Sequence, residues 1–388
     1  MARHVLLLVL FNVASSMLTK HAVPRSFTIK DIGKDEAAHQ IAMNMRASPD
    51  NVQVQAVGCQ QLMKVLDRNS VETDQFLGAF QAAADAIASG RAAALTCIPW
   101  LGSLAVFNRP MTFLLNNTNA MKNTISFLRD HVNDVAAAHM SNNIASMSTQ
   151  PEIVPYVVQL GGIDVLFDYL ERWQADPYAT LSAWAGLSDP SHAPSGARAI
   201  VNHGGHHEGI TLVMQKIHSY PPHFGQSPDT LSVRYESIQI VNGILEDDYT
   251  NEYGKAFMEA GLLQELVTTL KVEPDMRAAN CVCCQVMDKL FDKGLAQTSM
   301  PALLEAGVIE LINTAFTTFH DDYPMPWNGG TVGQYYKVIP ECSSVLVKIL
   351  ASSPESKQQM LDLGVPKTLQ DVRPDLKWSV MDLQLKLL

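Results

Sequence analysis

NVQVQAVGCQQLMKVL, residues 51–66, puts Cys59, Leu62 and Leu66 at i, i+3 and i+7, one face of a helix with 3.6 residues per turn. The same face returns as Cys97, Trp100 and Leu104, as Cys283, Val286 and Leu290, and as Cys342, Val345 and Ile349. A weaker copy is Ile238, Val241 and Leu245. Ala137, Met140, Ile144 and Thr180, Ala183, Leu187 fill the remaining places. The leading positions stand 38 to 59 residues apart. Four of the six cysteines share this phase, where a buried thiol acts as a small hydrophobe.

A second signature follows each of these helices. Gly162, Gly209, Gly261, Gly307 and Gly364 each open a run of apolar residues at helical spacing, with Gly78 and Ala120 in the two earlier places. Glycine at such a junction permits the left-handed backbone that separates one short helix from the next. Two helices in a period of roughly 40 to 47 residues are the mark of a HEAT or armadillo array. The wording of VQVQAVGCQQLMKVL (52–66), EAGLLQELVTTL (259–270) and EAGVIELINTAF (305–316) resembles armadillo repeats, over roughly residues 40 to 388. The resemblance implies a right-handed α-solenoid of about seven repeats, with the last helix of each repeat lining a concave groove. Sustained period-2 alternation is absent from the sequence, and the many helical windows predict an all-α chain.

Composition narrows the function. Hydrophobic residues are 47% of the 388, enough to build a core, and charged residues only 17%. The net charge of −11 opposes binding to a phosphate backbone, so no nucleic-acid partner is expected. No GxxxxGK[ST], HExxH or GxSxG occurs, and no cofactor and no enzymatic activity are expected. Armadillo arrays that take basic nuclear-targeting peptides carry a ladder of Trp and Asn. Here Trp100, Trp173, Trp184, Trp327 and Trp378 share no common phase, which departs from that pattern.

Residues 1–35 form a separate lead segment before the repeat domain at 36–388. Arg3 and the run Val5–Phe11 have the parts of a secretory signal, too short to span a bilayer. A capping helix is the competing reading. A cytoplasmic location is expected, with export through residues 1–22 as the alternative. Asn116-Asn117-Thr118 is a glycosylation acceptor, a pattern too common to decide between them. Insertions at about 188–230 and 320–334 interrupt the period, rich in Pro, Gly, Ser and His, and read as exposed loops around one helix at Ile210–Ile217. The end of the chain, Trp378–Leu388, reads as a capping helix with one apolar seam.

The expected function is a non-catalytic scaffold that binds a protein or peptide. Thr268, Lys271, Asn313 and Thr317, polar positions on otherwise apolar helices, and Trp327 in the second insertion are its candidate contacts. The alternative is a metal- or ligand-binding enzyme using His203, His206 and His207, with His192, His218 and His223 nearby in sequence. Adjacent His206 and His207 would diverge on a helix. The clump Cys281-Val282-Cys283-Cys284 spreads over several helix faces and reads as core. The acidic spots Glu246-Asp247-Asp248 and Asp321-Asp322 read as solvated helix ends.

Overall fold

A computed structural model describes residues 34–66, 77–105, 115, 118–224, 232–320, 337–372 and 376–388. Every regular element among the described residues is a helix, as expected. They fall into two compact units, the described residues up to Gly196 and those from Ala197 onward.

In the N-terminal unit the helices are α1 (Lys34–Arg46), α2 (Val52–Val65), α3 (Leu77–Ser89), α4 (Arg91–Ala105), α5 (Ala120–Asp130), α6 (Val135–Ala138), α7 (Asn143–Met147), α8 (Val154–Gln159), α9 (Gly162–Arg172) and α10 (Pro177–Ser191). They pack as two rows, α1–α3–α5–α9 and α2–α4–α7–α10. Starts are set by short polar caps: Asn51 Oδ1 accepts from Val54 N, and Asp176 Oδ1 accepts from Tyr178 N and Ala179 N. A helix α11 (Pro194–Val201) spans the junction of the units.

The C-terminal unit continues with α12 (Glu208–Ser219), α13 (Val233–Glu246), α14 (Glu252–Glu259), α15 (Leu262–Val272), α16 (Arg277–Asp292), α17 (Met300–Glu305), α18 (Val308–Phe319), α19 (Val338–Ser352), α20 (Ser356–Asp362), α21 (Val365–Gln370) and α22 (Lys377–Leu387). Here the rows are α12–α15–α18–α21 and α13–α16–α19–α22. Each short helix α14, α17 and α20 precedes one member of each row, so the unit repeats in threes, the last member of each three being the longest.

The apolar triplets of the sequence are what the rows bury. All of them, including the two weakest, lie in the core. The period also reappears as hydrogen bonds between neighbouring repeats. Tyr169 Oη donates to Leu128 O at 2.7 Å and Trp173 Nε1 to Val132 O at 2.8 Å, each 41 residues back. Ser182 Oγ reaches His139 O and Arg91 reaches Asp134, each across 43 residues.

Two expectations are corrected. The thiols in the shared phase are not all free: Cys59 is bonded to Cys97 and Cys284 to Cys342. The Cα atoms of the pairs lie 5.3 and 5.0 Å apart, inside the range a disulfide spans; Cys59 and Cys97 share the phase on consecutive helices of one row, whereas Cys284 lies one residue past it. Cys284 rather than Cys283 faces Cys342. One residue is about 100° of helix rotation, and α16 presents the later position to α19. The first insertion is also less loop-like than its composition. Ser188–Ser191 completes α10, and α11 forms where Pro194 starts a helix whose Ala197, Ile200 and Val201 are buried. Most of the second insertion, and the segment before α1 with its export reading, lie outside the described residues, Trp327 and Asp321-Asp322 included.

Candidate interaction surface

The long helices of the C-terminal unit carry a polar chain across their row. Asn242 Nδ2 on α13 donates to Gln285 Oε1 on α16 at 3.4 Å, and Gln285 Nε2 donates to Glu341 Oε1 on α19 at 3.4 Å. Lys289 Nζ donates to Asn242 O at 3.0 Å and stands 3.8 Å from a Glu246 carboxylate oxygen. Lys348 on α19 reaches Asp288 Oδ1 at 2.7 Å and Asp292 Oδ1 at 2.6 Å. Gln285, Lys289, Glu341 and Lys348 are all half-buried.

Half-burial perturbs the charges in this chain. Burial pulls the Lys289 ammonium below its ordinary pKa, against the pull of Glu246. Burial pushes the Glu341 carboxyl up, although the bond from Gln285 opposes this. At Lys348 burial acts downward, but the bonds from Asp288 and Asp292 outweigh it and the value rises. Desolvated charges joined by long, weak amide bonds can exchange those partners for a ligand's groups.

The sequence candidates lie elsewhere. Thr268 and Lys271 are on α15, Asn313 and Thr317 on α18, in the row of middle helices. Thr268 Oγ1 donates to Gln264 O and Thr317 Oγ1 to Asn313 O, each within its own helix. Asn313 Nδ2 donates to Leu363 O at 3.0 Å and so ties α18 to the end of α20. Asn313 thus links two helices, whereas the Thr268 and Thr317 bonds are internal to theirs. The polar chain of the long helices stands beside the apolar triplets: Asn242 follows Val241, Gln285 precedes Val286 and Glu341 precedes Cys342.

The histidines divide. His218 Nδ1 contacts Glu265 Oε1 at 2.7 Å, and the backbone N–H of His223 donates to Glu273 Oε1 at 3.1 Å. His206 and His207 do not diverge, because they precede α12 instead of lying on it. Their rings stack with centroids 4.0 Å apart. His207 caps α12 in the left-handed conformation, φ +62°. The corresponding caps of α9, α15, α18 and α21 are Gly161, Gly261, Gly307 and Gly364, all left-handed. The junction glycines therefore include Gly161 rather than Gly162, and at the second copy His207 replaces a glycine. A side chain in that backbone region costs roughly 1–2 kcal/mol.

Asp248, read as solvated, is 2% exposed. It accepts from Glu252 N and Gly254 N and so fixes the start of α14. Cys281 and Cys283 are free and buried, and burial pushes the Cys281 thiol up to about 12 and the Cys283 thiol well above its ordinary value. Both are unreactive core thiols at neutral pH.

Among the described residues no single helix is long and apolar enough to cross a membrane. No family model and no curated protein matches the sequence. Solved structures do. A crystal structure of an engineered protein from the Northeast Structural Genomics Consortium is similar with a TM-score of 0.51 and 16% identity, over 70% of this chain and 99% of that one. A second engineered protein from the same consortium gives 0.50 and 15%, over 97% and 98%. At such identities the likeness is one of fold alone.

Proposed function

We propose that the chain is a non-catalytic interaction scaffold, an armadillo-like right-handed solenoid of about seven repeats, whose long-helix row binds a segment of a partner protein. The observation that carries this is the chain Asn242–Gln285–Glu341, which advances one helix per repeat. Each amide offers both a donor and an acceptor, so such a row can bond the backbone of an extended peptide at regular intervals. The net charge of −11 favours a basic segment. The test is photo-crosslinking capture with whole chains carrying Gln285→Ala and Glu341→Ala, beside chains carrying Thr268→Ala and Thr317→Ala. The first pair is expected to lose the partner that the second pair retains. Equal capture by both sinks the assignment of the row.

Two disulfides also favour the export reading of residues 1–22 over the cytoplasmic one, because such bonds persist in oxidising compartments. N-terminal sequencing of the protein from its own cell decides: an intact Met1 overturns export through that segment.

A further inference from the structure

We infer that His206, His207 and Glu252 bind a divalent transition-metal ion, zinc being the one their chemistry fits best. This goes beyond the scaffold reading and does not depend on it. One ring nitrogen from each histidine and one carboxylate oxygen of Glu252 lie within 4.8 Å of one another. Four ligand atoms bonded tetrahedrally to zinc at about 2.0–2.1 Å stand roughly 3.3 Å apart. His207 Nε2 is already 3.1 Å from Glu252 Oε1. The His206 ring, stacked on His207, has to turn out of the stack to bring its nitrogen to the same ion, and its exposed side chain and that of Glu252 leave room for this.

Three features show a built site and not a chance meeting of surface groups. The first is the 3.1 Å approach itself. His207 Nε2 is a buried nitrogen without a hydrogen-bond partner, although Glu252 Oε1 lies 3.1 Å from it. The second is backbone conformation. His207 and Asn251 are two of the three described non-glycine residues with left-handed φ, at 62° and 59°. One carries a ligand, and the other immediately precedes one. Where four other repeats place glycine at this junction, this repeat keeps a histidine.

The third is support around the ligands. Asn202 Oδ1 accepts from His207 N at 3.3 Å, and Tyr253 meets the His207 ring edge-on at 5.8 Å. On the other side, buried Asp248 accepts from Glu252 N at 3.1 Å, and Asn251 Nδ2 donates to Lys293 O at 3.2 Å. Both ligand-bearing caps are thus held before any ion arrives. Two imidazoles and one carboxylate suit zinc better than magnesium or calcium, which prefer oxygen alone. Three protein ligands leave a position for water or for a donor from a bound partner. The ion would tie the start of α12 to the start of α14.

The experiment is isothermal titration of zinc chloride into the chelator-treated, dialysed whole chain, with cobalt absorption as a second readout of tetrahedral ligation. Saturable binding of one ion per chain is expected. The informative variant is His207→Gly, because glycine already serves at the equivalent junctions and the fold is retained. It is expected to weaken zinc binding by at least about tenfold while leaving the helical circular dichroism unchanged. Glu252→Gln, which keeps the shape of the side chain, is expected to weaken it as well. Absence of saturable binding in the natural chain, or equal affinity in both variants, overturns the proposal.

Discussion

At the scale of single residues, the junction caps separate two costs that a glycine can hide. A Cβ built at Gly261 meets nothing within 4 Å, but the backbone is left-handed, φ +90°. Gly261→Ala therefore pays for conformation alone and is expected to lose about 1 kcal/mol in a urea-unfolding midpoint. A Cβ at Gly209 stands 1.8 Å from Ile200 O, a backbone atom with nowhere to go. Gly209→Ala is expected to lose far more and to expose the C-terminal unit to protease. Comparable losses at the two sites would show that this distinction is wrong. Asp134 gives a residue-scale dependence on pH. The Arg91 guanidinium, bonded to it, holds its carboxyl below the ordinary value of 3.8. A carboxyl whose folded pKa is lowered stabilises the fold above 3.8, and loses that contribution as pH falls through the lower, folded value. Arg91 is half-exposed, so the pair contributes at most about 1 kcal/mol. Asp134→Asn keeps an N-cap for α6, and its stability is expected to converge on that of the natural chain in acid. Curves that stay parallel from pH 6 to pH 3 exclude the pairing.

At the scale of elements, helix rows were legible and helix faces only in part. Every triplet chosen for its i, i+3, i+7 spacing is buried, because a row of helices must cover one stripe of each member, although Ala137, Met140 and Ile144 are split between α6, a turn and α7. Burial was legible and pairing was not: Cys283 is buried as its triplet predicts, while its neighbour Cys284 makes the bond to Cys342. Loop composition misled at 188–201, since Pro and Ser open helices as readily as they interrupt them. The end of the chain shows the same limit. On α22 Val380, Leu383 and Leu387 are buried as the seam predicts, yet Trp378, Met381 and Leu385 are exposed on another face. The disulfides make the elements testable. In the chain-entropy account, closing loops of 38 and 58 residues stabilises by about 4 kcal/mol each. Replacing Cys59 and Cys97 by serine, or Cys284 and Cys342, is expected to lower the guanidinium midpoint substantially. A reductant should add little to the loss in a chain that lacks both pairs. Midpoints that ignore these changes would show that the bonds do not form in solution.

At the scale of the whole molecule, charge supplies what no single contact does. An excess of 11 negative charges attracts a basic segment before any amide is exchanged, so the partner's association is expected to slow as salt rises. An affinity untouched between 50 and 500 mM salt would point to an apolar partner instead. The helical class and the period were readable because both are repeated many times along the chain. The His206–His207–Glu252 cluster was half-readable: the histidines are adjacent, but Glu252 is brought in by a turn 45 residues away. Its approach depends on two left-handed caps that no spacing announces. The disulfides have one further consequence, which is mechanical. Each bond joins two helices of one row across a whole repeat, so a chain drawn out by its ends cannot pay out residues 59–97 or 284–342. About 330 Å of contour, at roughly 3.4 Å per extended residue, stays locked until a reductant opens the two loops.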